Sequence, residues 1–201
     1  CKGLWRTILS LTIAVPQFVS LMIISTMFKD NGAANKLLQS LGLIGQNVNL
    51  PFWTDATWAR VTIIVVNIWV GIPYTVMSVT GILKNIPAEQ YEAARIDGAT
   101  AAQQFLYVTL PYMFFVMTPT LITSFTGNIN NFNVIFLLSG GGPTYVGDTA
   151  GQTDLLVTWL YKLTVDKQQY NAAAVIGIMT FIILAFVSLV TYRNTASYKD
   201  E

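Results

Sequence analysis

Apolar stretches separated by polar ones set the organisation of this 201-residue chain. Residues 7–28, 61–83 and 172–192 carry no charged side chain, and a further uncharged run extends over 98–147. Apolar runs of about 20 residues have the length of a bilayer-spanning helix. The pattern predicts four spans, over about residues 4–28, 60–83, 111–134 and 171–192. Pro16 predicts a kink in the first, because its ring removes a backbone donor and crowds the preceding turn. Pro73 predicts another in the second. An inert packing kink is the preferred reading of Pro16 over a gating hinge.

The connections are equally patterned. Residues 29–59 are polar, with turn signals at Asp30-Asn31-Gly32 and Asn49-Leu50-Pro51. Residues 35–43 read as a short amphipathic helix along the interface, and Trp53 and Trp58 suit an aromatic belt. Ser139-Gly140-Gly141-Gly142-Pro143 lacks the Lys-Ser/Thr that completes a phosphate-binding loop, so it reads as a sharp turn near the membrane surface. Residues 154–163, DLLVTWLYKL, predict a helix at the outer interface. The small residues that open the last span, AAAVIGI, predict close helix packing.

Composition sharpens the class. The chain is 53% hydrophobic and 10% charged, against roughly 25% charged in soluble domains. It reads as an all-α integral membrane protein. A net charge of +1 with no basic cluster argues against nucleic acid. There is no histidine and one cysteine, Cys1, so His-based catalysis, His or Cys metal sites and an internal disulfide are excluded. No metal site and no catalytic constellation is expected. The chain opens on Cys1 rather than Met and is expected to be part of a longer protein.

Between the second and third spans, residues 84–110 hold the most specific spacing, EQYEAARIDGATAAQQFLYVTLP over 89–111. Pro87 suits a helix start, and Glu89 and Glu92 favour the positive end of the helix dipole. Ala93 and Ala94 form a small apolar step that a partner surface can approach closely. Asp97-Gly98 is a turn signal, since Gly98 can adopt positive φ. A second polar helix, about residues 100–108, then runs into Pro111. The expectation is two short helices joined by a turn.

Two polar stripes break the apolar spans. Asn67, Gly71 and Tyr74 stand at i, i+4 and i+7, and Ser124, Asn128 and Asn131 repeat that spacing, which puts each set on one helix face. Interhelical hydrogen bonding is one reading, at about 0.6 kcal/mol per bond. The other is a polar wall for a hydroxyl-rich solute, because carboxamides both donate and accept and a phenol offers a stacking face. From the residues alone the two stand level.

The spacing of Glu92-Ala93-Ala94, Gly98, Val108 and Leu110-Pro111 resembles the EAA loop of membrane subunits of binding-protein-dependent ABC importers. Val108 departs from it, isoleucine being usual there. In that family the loop is a coupling helix docked on an ATP-binding subunit. The likeness extends along the chain: Arg60 with IIVVNIWVGIPY, SFTGNINNFNVIFLLSGGGP and TDLLVTWLYKLT resemble blocks of the larger permease subunit of maltose/maltodextrin importers. The resemblance implies a polytopic helical bundle of the ABC importer permease (MetI-like) type, the chain being the C-terminal part of one transmembrane domain. It implies a multi-pass protein of the bacterial cytoplasmic membrane that is not an enzyme and holds no cofactor, with ATP and magnesium on the partner. The implied partners are a second permease subunit, two ATP-binding subunits on the EAA loop, an extracellular or periplasmic sugar-binding protein, and lipid. Asn67, Gly71, Tyr74, Ser124, Asn128 and Asn131 would contact the sugar. Glu92, Ala93, Ala94, Asp97 and Gly98 would couple to the ATPase, and a bulky residue at Gly98 would uncouple hydrolysis from transport.

Charge supports that orientation weakly. With the EAA loop inside, Lys2, Arg6, Lys84, Arg95, Arg193 and Lys199 face the cytoplasm, six basic residues against five, Lys29, Lys36, Arg60, Lys162 and Lys167. The alternatives are a same-fold permease for another carbohydrate or glycerol-3-phosphate, an ion-coupled transporter, and a scaffold without transport. A phosphate ligand would want Arg or Lys in the cavity, and ion coupling an intramembrane Asp or Glu. The spans offer neither.

Overall fold

The computed structural model describes residues 2–193, and the regular structure among them is all helical. In chain order the helices are α1 (Lys2–Ser10), α2 (Gln17–Met27), α3 (Ala33–Ser40), α4 (Ala56–Lys84), α5 (Ala88–Ile96), α6 (Ala101–Gln104), α7 (Leu110–Ile129), α8 (Phe132–Ser139), α9 (Leu156–Val165) and α10 (Tyr170–Arg193). A 3-10 turn, Leu11–Ala14, follows α1, and a π turn, Phe105–Thr109, joins α6 to α7. Cys1 and the polar tail from residue 194, with Lys199, lie outside the described residues.

Ala56–Lys84, Ala101–Ser139 and Tyr170–Arg193 are long and apolar enough to cross a membrane. Their surfaces suit that role. On α10, Phe181, Phe186 and Leu189 are each more than 60% exposed, an arrangement that water penalises and lipid does not.

The first apolar stretch is broken rather than merely kinked. The 3-10 turn ends before Val15, and α2 starts afresh after Pro16, whose carbonyl accepts from the Val19 and Ser20 amides at 3.0 and 3.2 Å. Proline cannot continue the preceding ladder but is preorganised to begin a new one. The third stretch divides too. α7 ends at Ile129, and Asn131 caps α8 by accepting the Val134 amide at 3.3 Å. An amide side chain offers the backbone this alternative to continued helix. α8 then stops at Gly140, which takes a left-handed φ of 59°.

By packing, the chain divides into two compact units. One comprises Leu11–Gly71 and Ile129–Ile182; the other comprises residues up to Ser10, Ile72–Asn128, and residues from Ile183. In the first, Leu21 of α2, Ile63 and Val66 of α4, and Val134, Ile135 and Leu138 of α8 form the buried core. The Ser25 hydroxyl donates to the Leu138 carbonyl at 2.6 Å, one of the carbonyls that the end of α8 leaves unpaired. Trp53 Nε1 donates to the Ser25 carbonyl at 3.0 Å. The 28–55 connection is ordered by Asn35, which is fully buried. Its amide donates to the Asp30 and Leu50 carbonyls and accepts the Leu50 amide. Asp55 opens α4 by accepting the Thr57 and Trp58 amides at 2.9 and 3.0 Å.

The same unit holds a polar knot around Asp154. Its carboxylate accepts from Lys162 Nζ at 2.6 Å, the Gly151 amide at 2.7 Å and the Thr158 hydroxyl at 2.9 Å. Asp154 therefore lies ahead of α9, which begins two residues beyond the expected start. Gly141, with φ 81°, packs so closely on this group that a Cβ there would overlap the Asp154 carboxylate. No helix begins directly after Gly140 to Pro143, in keeping with a turn rather than a phosphate loop.

In the second unit, α7 and α10 meet through Thr126 and Ser188, whose hydroxyls are 3.2 Å apart.

Candidate functional site

The polar segment 84–110 folds as two helical pieces about a glycine turn. α5 starts after Pro87 and carries Glu89 in its first turn and Arg95 in its last, each at the end its charge favours. It closes through Asp97 N to Ala93 O at 3.0 Å, Gly98 N to Arg95 O at 3.0 Å and Ala99 N to Ala94 O at 2.9 Å. Gly98 has φ 76°, and a Cβ on it would meet nothing within 4 Å. Backbone conformation, not space within the chain, demands glycine there. Thr100 then starts α6 with a reciprocal capping box, its hydroxyl accepting the Gln103 amide while Gln103 Oε1 accepts the Thr100 amide at 2.8 Å.

The expected second helix does not end at Val108. It passes through the π turn directly into α7, with Pro111 in that helix's first turn. A π turn is rare and is found mostly at functional places in helices.

Glu92, Ala93, Asp97 and Gly98 are all exposed, and Ala94 is half-buried. Ile96 is 86% exposed, an apolar side chain beside the alanine step that sequence reading passed over. α5 thus offers a carboxylate, small residues and one bare aliphatic group on a helix of nine residues. Its other side is tied down. The Tyr91 hydroxyl lies 2.8 Å from Thr109 Oγ1, and Thr109 is buried. Tyr112 donates to the Asn85 carbonyl at 3.4 Å, and Gln104 Nε2 to the Ala99 carbonyl at 3.0 Å.

The six residues of the polar stripes fall into smaller groups. Asn131 Nδ2 donates to Asn67 Oδ1 at 3.0 Å, so the first unit brings these two amides together across α4 and the start of α8. On α7, Ser124 and Asn128 are both exposed, and Asn128 Nδ2 donates to the Ser124 carbonyl at 2.8 Å. Tyr74 is 59% exposed on α4. Gly71, one turn earlier, leaves open space where a Cβ would stand. Among the described residues no group of three or more His, Cys, Asp or Glu side chains is placed to hold a metal ion.

Comparison with known proteins gives a consistent family. The family described as binding-protein-dependent transport system inner membrane component matches residues 2–196. The chain is 45% identical over 201 residues to the galactooligosaccharides transport system permease protein GanP of Bacillus subtilis (strain 168), covering 100% of this chain and 47% of that protein. It is 40% identical over 205 residues to the maltodextrin transport system permease protein MdxF of the same organism, with coverage of 100% and 47%. Against the maltose/maltodextrin transport system permease protein MalF of Escherichia coli (strain K12) the identity is 38% over 200 residues, covering 96% of this chain and 38% of that protein. The chain spans about half or less of the length of these relatives. Among solved structures, a bacterial alginate ABC transporter in complex with an alginate pentasaccharide-bound periplasmic protein matches with a TM-score of 0.80 and 23% identity, over 98% of this chain and 66% of that one. That likeness is one of fold.

Proposed function

We propose that this chain, which belongs to the family of binding-protein-dependent transport system inner membrane components, is the coupling and sugar-contacting part of a permease subunit in an ATP-driven carbohydrate importer. The fold is the all-α membrane bundle of ABC importer permeases, and the chain is a transport component rather than an enzyme. The observation that carries the reading is the exposed helix α5, with Glu92, Ala93 and Ala94 and the Gly98 turn, held against the start of a membrane span. A short helix built this way has one side for a soluble partner and one for the membrane domain.

In this reading an ATP-binding subunit receives α5, with ATP and magnesium bound on that subunit. Two such subunits and a second permease complete the membrane assembly. A binding protein outside the membrane delivers the sugar. Closure of the ATP-binding subunits carries the coupling helices with them, and the permeases alternate between inward and outward access. Such a change needs different contacts in the two states, and a ligand with equal affinity for both shifts nothing.

Asn67, Gly71, Tyr74, Ser124, Asn128 and Asn131 are the proposed sugar contacts. Their amides, hydroxyls and phenol match a neutral oligosaccharide, and residues 61–83 and 98–147 carry no charge for an ionic one. Maltodextrin is the preferred substrate, in line with permeases 38–40% identical to this chain. Galactooligosaccharide is the second reading, favoured by the 45% identity to a permease named for it.

Uptake of labelled maltotriose is the test, in cells lacking native uptake and supplied with the full-length protein and its partner subunits. The parent is expected to take up the sugar and an Asn128→Ala variant of equal abundance to lose it. Preferential uptake of a labelled galactooligosaccharide would move the assignment to the second reading. Uptake of neither sugar would overturn both.

A further inference from the structure

We infer that Tyr91 and Thr109 form the positioning contact that carries movement of α5 into the membrane span, bypassing the glycine turn between them. This rests on the permease reading above. The covalent route from α5 to α7 runs through Asp97, Gly98 and Ala99, and glycine is the residue type whose backbone is least restrained. A push on α5 transmitted only through that turn would be partly absorbed by it. The structure supplies a second route. Tyr91 lies one residue before Glu92, so its side chain leaves the helix about 100° away from the exposed carboxylate. Its hydroxyl ends 2.8 Å from Thr109 Oγ1, in the last position of the π turn and directly ahead of α7.

Thr109 Oγ1 donates to the Gln104 carbonyl at 3.4 Å, five residues back, the register of the π turn. Either hydroxyl can donate in the 2.8 Å contact, the Thr109 proton having the Gln104 carbonyl as its other acceptor. The contact thus grips the helix where its ladder is widened by one residue. Thr109 is only 7% exposed, which shields the bond from competing water. Two longer or more exposed braces flank it, Tyr112 to Asn85 and Gln104 to Ala99.

Tyr91→Phe removes this link with little structural cost. The ring stays, and Thr109 keeps Gln104 as an acceptor, so no buried donor is orphaned. Tyr91 and Thr109 are positioning residues, acting through α5 and α7 rather than touching sugar or nucleotide. The readout is the number of sugar molecules imported per ATP hydrolysed, measured in proteoliposomes holding the complete transporter. A purely structural role would lower both activities together and leave that ratio alone.

Tyr91→Phe and Thr109→Val are each expected to lower the ratio roughly fivefold, the factor that corresponds to loss of about one ordinary hydrogen bond. The double variant should be no worse than either single one, because both remove the same contact. Thr109→Ser keeps the hydroxyl and should keep the wild-type ratio. An unchanged ratio in Tyr91→Phe, a proportional loss of hydrolysis and uptake, or a fall in Thr109→Ser matching that of Thr109→Val would each overturn the inference while leaving the permease reading intact. Absence of ATP-dependent uptake by the wild-type transporter would overturn that reading and this inference with it.

Discussion

In the proposed coupling role of α5, Gly98 links backbone conformation to transport, and substitutions there separate two causes that sequence alone merges. Its φ is 76°, and a Cβ would meet no atom of this chain within 4 Å. Alanine therefore causes no clash, but holding an L-residue in the left-handed region costs roughly 1–2 kcal/mol. Against this stand the two hydrogen bonds that close the turn, Gly98 N to Arg95 O at 3.0 Å and Ala99 N to Ala94 O at 2.9 Å. Each contributes about 1 kcal/mol net. Penalty and restraint are of one size, so Gly98→Ala should populate other turns and misplace α5 for part of the time. Valine, branched at Cβ, is a still stronger outlier at positive φ, whereas asparagine tolerates it well.

Sugar imported per ATP hydrolysed should therefore rank glycine and asparagine first, then alanine, then valine, in proteoliposomes at matched transporter content. Gly98→Asp keeps much of asparagine's tolerance of that backbone but adds a charge on an exposed tip. It is expected to uncouple hydrolysis from uptake through the partner surface. A series in which valine couples as well as asparagine would refute the conformational reasoning. Normal hydrolysis and uptake in Gly98→Asp would remove the tip from the coupling surface.

Two other variants test the first unit. Lys162→Met leaves the Asp154 carboxylate, 2% exposed, with hydrogen bonds but no counter-charge; a loss of about 3 kcal/mol is expected, read as a lowered unfolding temperature of the full-length protein in detergent. Adding Asp154→Asn should recover part of it, and an unchanged unfolding temperature in Lys162→Met would show that the pair does not hold the loop. Asn131→Ala removes both the cap on Val134 and the bond to Asn67, a cost of about 1 kcal/mol from the cap alone, so both stability and uptake should fall. Asn131→Asp keeps the cap but loses the donor to Asn67, so it should lose less stability than alanine while still losing uptake; full uptake in Asn131→Asp would remove that donor from the proposed sugar contacts.

Much of this was legible because bilayer helices advertise themselves by length and lack of charge. The helices α4 and α10 follow the uncharged runs to within a few residues. The positive φ of Gly98 followed from Asp97-Gly98, and the polar segment 84–110 divides about that turn as its residues indicate. Breaks were harder. Pro16 signals one, but a proline in a membrane helix can also be carried through, as Pro73 is within α4. Asn131 reads from its spacing as a helix-face polar residue, and only the structure shows it serving as the cap of α8 while also bonding Asn67. The bonds that tie segments together left no local pattern at all. Tyr91 and Thr109 are 18 residues apart, and Ser25 reaches Leu138 across 113.

The most direct measurement of the central claim is uptake of labelled maltotriose into proteoliposomes containing the full-length protein, its partner permease and the ATP-binding subunits, with sugar-loaded binding protein outside and ATP within. Uptake should require ATP and fall to background when Glu92→Lys reverses the charge on α5. Uptake without ATP, or ATP-driven uptake that Glu92→Lys leaves at the wild-type level, would contradict the claim.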